Sequence, residues 1–71
     1  MENIVDARGF SCPQPVIMTV NEIKKIGKGE ITVLVDTDTA RENVNRATNA
    51  QGWSVLSIEP DQGGYKIKIG K

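Results

Sequence analysis

The segment EITVLVD, residues 30–36, most constrains the fold, because it places Ile31, Val33, Leu34 and Val35 in one short, mostly β-branched run. A run of this kind is typical of a central β-strand that is covered on at least one face. The stretches before and after it have helical periodicity. We therefore expect helices from both sides of the segment to supply the covering layer.

The preceding stretch predicts an amphipathic helix between Pro13 and Ile26. Its apolar residues recur at steps of one, three, three and three, which makes one stripe on a helix. The stripe consists of Val16, Ile17, Val20, Ile23 and Ile26. Lysines at 24 and 25 fall in the last turn, where the helix dipole favours cations, and Gly27 follows as the stop.

The second predicted helix begins near residue 39 and ends at Gly52. Thr39 and Glu42 have the spacing of a capping box, which marks a helix N-terminus. The pattern predicts a buried face of small residues and a solvent-facing side. The buried face is Ala40, Val44 and Ala47, and the solvent-facing side is Arg41, Glu42, Asn45 and Arg46.

Two alternating segments near the C-terminus, WSVLSIEP at 53–60 and YKIKIGK at 65–71, predict a β-hairpin. We expect Trp53, Val55 and Ser57 on the core side of the first strand, and both glycines of DQGG to supply positive φ in the turn. The element order β-α-β-α-β-β predicts an α+β fold. It is a two-layer α/β sandwich, in which both helices cover one face of a four-stranded mixed sheet.

Length and charge limit the classes of function. The 71 residues leave room for one domain, residues 1–71, and nine basic and nine acidic residues cancel. This balance gives no general attraction to nucleic acid or to anionic lipid. A single cysteine cannot close an intramolecular disulfide, and no segment resembles a signal peptide or a membrane span. We expect a cytoplasmic monomer with no direct contact to nucleic acid or membrane.

The single cysteine, Cys12, precedes a helix-start signal. Pro13 has a φ suited to the first helical position, and Pro15 stiffens the turn further. At a helix N-terminus the dipole and free N–H groups, such as that of Gln14, favour the thiolate and lower the pKa of the thiol below about 8.5. The alternative is that Cys12 is a small buried hydrophobic residue, the commoner fate of a lone cysteine.

The residues missing from the chain narrow the chemistry open to Cys12. There is no histidine, and Asp6 is too acidic to be a convincing base for a thiol, so a proton-relay nucleophile is excluded. Without a second cysteine there is no dithiol redox cycle, and one thiol cannot build a zinc site. We therefore expect no metal and no cofactor. An activated thiolate could still hold a group temporarily, as a persulfide or mixed disulfide.

The segments DARGFSCPQPV, GKGEITVLVD and ARENVNRATNAQGW resemble the TusA family, small sulfur carriers that include SirA. The resemblance covers residues 4–69, and its core is the CPxP motif, here residues 12–15, preceded by Asp6, Arg8 and Gly9 at the family's spacing. It implies that Cys12 accepts sulfane sulfur as a persulfide from a cysteine desulfurase and delivers it to an acceptor protein. Such a chain is a sulfurtransferase-like carrier rather than a stand-alone multiple-turnover enzyme.

Within the family, CPQPVI and ARENVNRA look closest to the N-terminal domain of YedF-like proteins, which carry a second, DsrE-like domain and are associated with selenium metabolism. The chain is then either a free-standing relative or an excised domain. The destination is open between tRNA thiolation, cofactor synthesis and selenium or sulfur metabolism. Arg8 either stabilises the thiolate or forms a structural salt bridge with Asp6, whereas Gly9 serves the backbone turn. The alternative function is a non-catalytic regulatory or protein- or RNA-binding module with an incidental Cys12.

Overall fold

The computed structural model describes residues 3–10 and 14–71. Its elements follow one another as β1 (Asn3–Asp6), α1 (Gln14–Ile26), β2 (Glu30–Val35), α2 (Asp38–Ala50), β3 (Ser54–Asp61) and β4 (Gly64–Gly70). This order confirms the predicted β-α-β-α-β-β arrangement and the α+β class. No helix in the described ranges is long and apolar enough to cross a lipid bilayer.

The four strands form one mixed sheet in the order β1-β2-β4-β3. Strand β1 pairs parallel to β2, whereas β4 pairs antiparallel to both β2 and β3. The β-branched run lies in β2, which has a neighbour on each side. Its residues Ile31, Val33 and Val35 are completely buried, as the sequence predicts for a central strand.

Both helices cover one face of the sheet, and the core lies between the two layers. The sheet contributes alternate residues to this core: Val5, Ile31, Val33, Val35, Ile67 and Ile69. The helices contribute Ile23, Ala40 and Val44, and Trp53, which directly precedes β3, is buried as predicted. Residues of the opposite register, such as Ile4 at 60% exposure, lie on the uncovered face.

The buried face of α1 differs from the predicted stripe. The fully or nearly buried residues are Pro15, Thr19 and Ile23, which are four apart, whereas Ile17 is 45% exposed. The hydroxyl of Thr19 donates to the carbonyl of Pro15 at 2.8 Å, so its polar group is satisfied inside the helix. An apolar stripe cannot reveal a buried threonine. The predicted stripe is therefore right for Ile23, which is buried, and for Ile26, which packs against the core, but it misses Thr19.

The N-terminus of α2 also differs from the prediction, because Thr37 rather than Thr39 is the N-cap. Thr37 has an extended backbone, and its side-chain oxygen accepts the N–H of Ala40 at 3.0 Å. The helix therefore begins at Asp38. The predicted capping box with Glu42 is wrong, since residue 39 is already helical.

The inner face of α2 is Ala40, Val44 and Thr48, and Ala47 is only half-buried. Thr48 repeats the arrangement of Thr19, because its hydroxyl donates to the carbonyl of Val44 at 2.8 Å. Two residues that we expected to face solvent, Arg41 and Asn45, are half-buried. The predicted burial of Ala40 and Val44 is confirmed, and Thr48 rather than Ala47 completes the face.

The hairpin turn is formed by Gln62 and Gly63, which have φ of 46° and 83°. Two consecutive residues with positive φ make a type I′ turn, so the prediction that both glycines of DQGG supply positive φ is wrong. Strand β3 also contains a bulge between Val55 and Ser57, which pairs Ser57 with Lys68. The bulge ends the simple alternation and removes Ser57 from the core side.

Candidate functional site

The candidate site lies where the parallel strands β1 and β2 end at the same edge of the sheet. The chain leaves β1 toward α1 and leaves β2 toward α2, so two loops and two helix N-termini meet at this edge. Of the predicted site residues, Asp6, Arg8, Gly9, Gln14 and Pro15 are described. Cys12 and Pro13 lie outside the described residues.

The segment after β1 folds into a tight turn over residues 7–10. Ala7 donates its N–H to the carbonyl of Leu34 at 2.8 Å, which extends the pairing with β2 by one residue. Phe10 donates back to the carbonyl of Ala7 at 3.4 Å, and Gly9 has a φ of 82° at the third position. A type II turn requires positive φ at that position, which glycine adopts without strain. The turn gives Gly9 the backbone role expected from the sequence.

Arg8 forms a bidentate ion pair with Asp6 on the outside of this turn. The Nε and Nη2 atoms of Arg8 each lie 3.0 Å from a carboxylate oxygen of Asp6, and the Arg8 backbone N–H donates to the same group at 3.2 Å. These hydrogen bonds from Arg8 lower the pKa of Asp6, and the hydrogen bond to Asp6 raises the pKa of Arg8. The geometry favours the structural salt bridge for Arg8. Stabilisation of the Cys12 thiolate by Arg8 stays a prediction.

A second contact ties the turn to the loop after β2. The N–H of Gly9 donates to Oδ2 of Asp36 at 2.8 Å, across 27 positions of sequence. Asp36 directly follows β2, and its carboxylate joins the two loops of the site. No local pattern in the sequence indicates such a contact.

The first turn of α2, which follows the loop after β2, contacts Tyr65 of β4. The hydroxyl of Tyr65 donates to a carboxylate oxygen of Asp38, in the first turn of α2, and this hydrogen bond raises the pKa of Tyr65. The guanidinium carbon of Arg41 lies 4.8 Å from the centre of the Tyr65 ring, within the range of a cation–π contact. The N-terminus of α2 is thus fixed to β4.

The two described residues of the CPxP motif occupy different environments. Gln14 is the first residue of α1 and is exposed, whereas Pro15 is completely buried. From the sequence we assigned Pro15 to stiffening the turn. The structure shows in addition that its ring packs in the interior, so this proline anchors the first turn of α1 to the domain.

Two apolar side chains near the motif remain exposed. Phe10, which ends the turn, is 49% exposed, and Ile17, in the second turn of α1, is 45% exposed.

Across residues 3–10 and 14–71 no group of three or more Asp, Glu, His or Cys side chains could hold a metal ion.

Residues 3–71 match the sequence profile of the family described as sulfurtransferase TusA. The chain belongs to the TusA family. A candidate sulfur carrier protein of Methanocaldococcus jannaschii is 31% identical over 68 residues, which cover 94% of this chain and 91% of that protein. The sulfur carrier protein TusA of Pseudomonas putida is 29% identical over 69 residues, which cover 96% of this chain and 86% of that protein.

A solved structure supports the TusA fold. The crystal structure of a SirA-like protein from Desulfitobacterium hafniense matches with a TM-score of 0.87 and 33% identity, and the match covers 99% of this chain and 96% of that chain. The family assignment from the sequence is therefore confirmed. A particular relationship to YedF-like proteins stays a prediction.

Proposed function

We propose that this protein carries sulfane sulfur as a persulfide on Cys12, between a donor such as a cysteine desulfurase and an acceptor protein in the cytoplasm. Membership of the TusA family over residues 3–71 is the observation that carries the proposal, because family members are named sulfur carriers. Cys12 is the only thiol in the chain that could bear the sulfur. The donor and acceptor supply the remaining chemistry.

Loading is a transfer of one sulfur atom between thiols. The thiolate of Cys12 attacks the terminal sulfur of a persulfide on the donor, and the sulfur–sulfur bond of the donor breaks as a new one forms on Cys12. The donor cysteine leaves as a thiolate, and the terminal sulfur keeps its proton. The sulfur also keeps its oxidation state, so the step needs neither an external oxidant nor a reductant.

Unloading is the same exchange in the opposite sense. A thiolate of the acceptor attacks the terminal sulfur on Cys12, takes it as a new persulfide, and leaves Cys12 as a thiolate. The described residues around the motif form one turn, one ion pair and packing contacts, which hold the turn at 7–10 and the first turn of α1. We propose a carrier that binds one partner at each end of a cycle, rather than a stand-alone multiple-turnover enzyme.

The described surroundings support this use of Cys12. Gln14, two residues after Cys12, begins α1, and the N-terminus of a helix favours nearby negative charge. The buried ring of Pro15 fixes that first turn in place. Exposed Phe10 and Ile17 flank the motif in the sequence and provide apolar surface that a protein partner could cover.

Mass spectrometry tests the proposal. The protein is incubated with a purified cysteine desulfurase and free cysteine, and the wild type should gain about 32 Da, one sulfur atom, which a thiol reductant removes. Cys12→Ser should gain nothing. Ser11→Ala is the matched control, since it changes the neighbouring residue and keeps the thiol, and it should load like the wild type.

Absence of any adduct on the wild type would overturn the proposal. That result would favour the alternative, a regulatory or binding module in which Cys12 is incidental. An adduct that persists in Cys12→Ser would equally contradict the assignment of the sulfur to this residue.

A further inference from the structure

Within the described residues, two hydrogen bonds join the turn at 7–10 to β2 and the segment after it, that of Ala7 with Leu34 and that of Gly9 with Asp36. The second is made by a side chain. It joins residues 27 positions apart at 2.8 Å, and its acceptor belongs to no part of the CPxP motif. The donor precedes Cys12 by three residues in the chain. Among the described residues, this contact fixes the middle of the turn before Cys12 to the segment after β2, whereas the Ala7 contact fixes only its first residue to the strand.

We propose that Asp36 is a positioning residue for sulfur transfer, because its carboxylate oxygen holds the turn at 7–10 in the position from which the chain continues to Cys12. The inference rests on the proposed function of Cys12 as the sulfur-bearing residue. In this role Asp36 contacts neither the sulfur donor protein nor the sulfur atom, and it acts through its hydrogen bond with Gly9.

Asp36 is suited to this task because its own backbone is held from several sides. The preceding residue, Val35, is completely buried, and the following residue, Thr37, caps α2. Gly64 of β4 approaches so closely that a Cβ atom there would lie 2.8 Å from the Cα of Asp36. Because this backbone is held in place, the Cα atom from which the Asp36 carboxylate extends has a fixed position. The hydrogen bond to Gly9 can therefore hold the turn at 7–10 in a fixed position relative to the core.

The two carboxylates near Arg8 have different hydrogen-bond partners. Asp6 accepts from both Nε and Nη2 of Arg8, whereas Oδ2 of Asp36 accepts from the N–H of Gly9. Asp36 also adds negative charge to this edge of the sheet. After the hydrogen bond and charge of Asp6, this charge helps to raise the pKa of Arg8. Two roles for Asp36 must therefore be separated, which are the placement of an acceptor atom and the supply of charge.

A pair of substitutions separates these roles. Asp36→Asn keeps an oxygen acceptor in the same place and removes the charge, whereas Asp36→Glu keeps the charge and moves the oxygen by one methylene. The measured quantities are the initial rate of persulfide formation with a fixed desulfurase concentration, the hydrogen-exchange rate of the Gly9 amide, and the thermal midpoint. Glu42→Gln is the control, since it removes an exposed acidic charge from α2, away from the loop contact.

We expect Asp36→Asn and Glu42→Gln to load sulfur within about twofold of the wild type, and Asp36→Glu to load at least about fivefold more slowly, because small misplacements of reacting groups are costly. The Gly9 amide should exchange faster in Asp36→Glu than in Asp36→Asn. A dominant role for charge gives the opposite order of loading rates and overturns the proposal. So does a Gly9 amide without protection in the wild type, or an equal rate for both variants.

Failure of the proposed function gives a different result. If the wild type takes up no sulfur, the function is refuted, and the alkylation rate of Cys12 by iodoacetamide then decides the positioning role. A rate for Asp36→Glu that differs at least about threefold from that of Asp36→Asn, with both variants folded by their thermal midpoints, supports positioning. Equal alkylation rates refute it.

Discussion

Gly64 should be among the least replaceable residues of this protein. A Cβ atom built on Gly64 would lie 2.2 Å from the carbonyl oxygen of Val35 and 2.8 Å from the Cα of Asp36. Real Cβ contacts essentially never fall below 3.0 Å, so β4 would have to move away from β2 by about 0.8 Å. Both neighbours are backbone atoms, which cannot rotate away as a side chain does. The displacement falls where Tyr65 pairs with Val35, at the base of the Asp36 contact.

Gly64→Ala should lower the free energy of unfolding by about 3 kcal/mol, the upper part of the range for overpacking a tight site. In a domain of this size, that loss lowers the thermal midpoint by roughly 15 °C. The measurement is urea unfolding followed by the fluorescence of Trp53, the only tryptophan.

The matched control is Gly63→Ala. Gly63 has a φ of 83° and nothing within 4 Å of its Cβ position, so alanine meets backbone strain alone and should cost about 1 kcal/mol. If Gly64→Ala costs no more than Gly63→Ala, the close approach of β4 to β2 is refuted. The rigid backbone inferred at Asp36 would be refuted by the same result.

Two further predictions concern the N-terminus of α2. In urea unfolding, Thr37→Ala should lower the free energy of unfolding by about 1 kcal/mol, because Thr37 caps the helix. Thr39→Ala should change it by less than about 0.5 kcal/mol. Equal losses would refute the cap assignment. The hydrogen bond that Tyr65 donates to Asp38 favours the neutral phenol and raises the pKa of Tyr65. The stability that this hydrogen bond contributes is therefore complete below about pH 10, and it is lost as the pH rises through the pKa of Tyr65 in the folded state. Tyr65→Phe should therefore reduce the loss of stability at alkaline pH. In Asp38→Ala, the phenolate absorbance of Tyr65, the single tyrosine, should titrate at lower pH than in the wild type. An unchanged titration would contradict the contact.

The fold could be predicted from the sequence because its signals are local or periodic. The β-branched run at residues 31–35 indicated a central strand, and Gly27 and Gly52 ended the two helices close to their observed bounds. The burial of Thr19 and Thr48 could not be read in this way. A threonine that donates to the carbonyl four residues earlier behaves as a small core residue, and an apolar pattern counts it as polar.

The site was predictable only in part, for a related reason. The CPxP motif indicated Cys12 and a helix start, and the short spacing of Asp6 and Arg8 allowed their ion pair to be anticipated. The contact of Gly9 with Asp36 depends on the parallel pairing of β1 with β2, which brings together loops that are distant in sequence. Residues 36–39 offered several side chains able to cap a helix, and only the backbone after β2 decides that Thr37 does so.

The most direct test of the carrier function follows one labelled sulfur atom through a complete transfer. The protein is loaded with labelled sulfur from a desulfurase, separated from the donor, and mixed with an acceptor protein that bears a free thiol. The label should move to the acceptor, and the mass of this protein should fall by about 32 Da as Cys12 returns to the thiol. A label that stays on Cys12, or that leaves only as free sulfide with none on the acceptor, would contradict a carrier function.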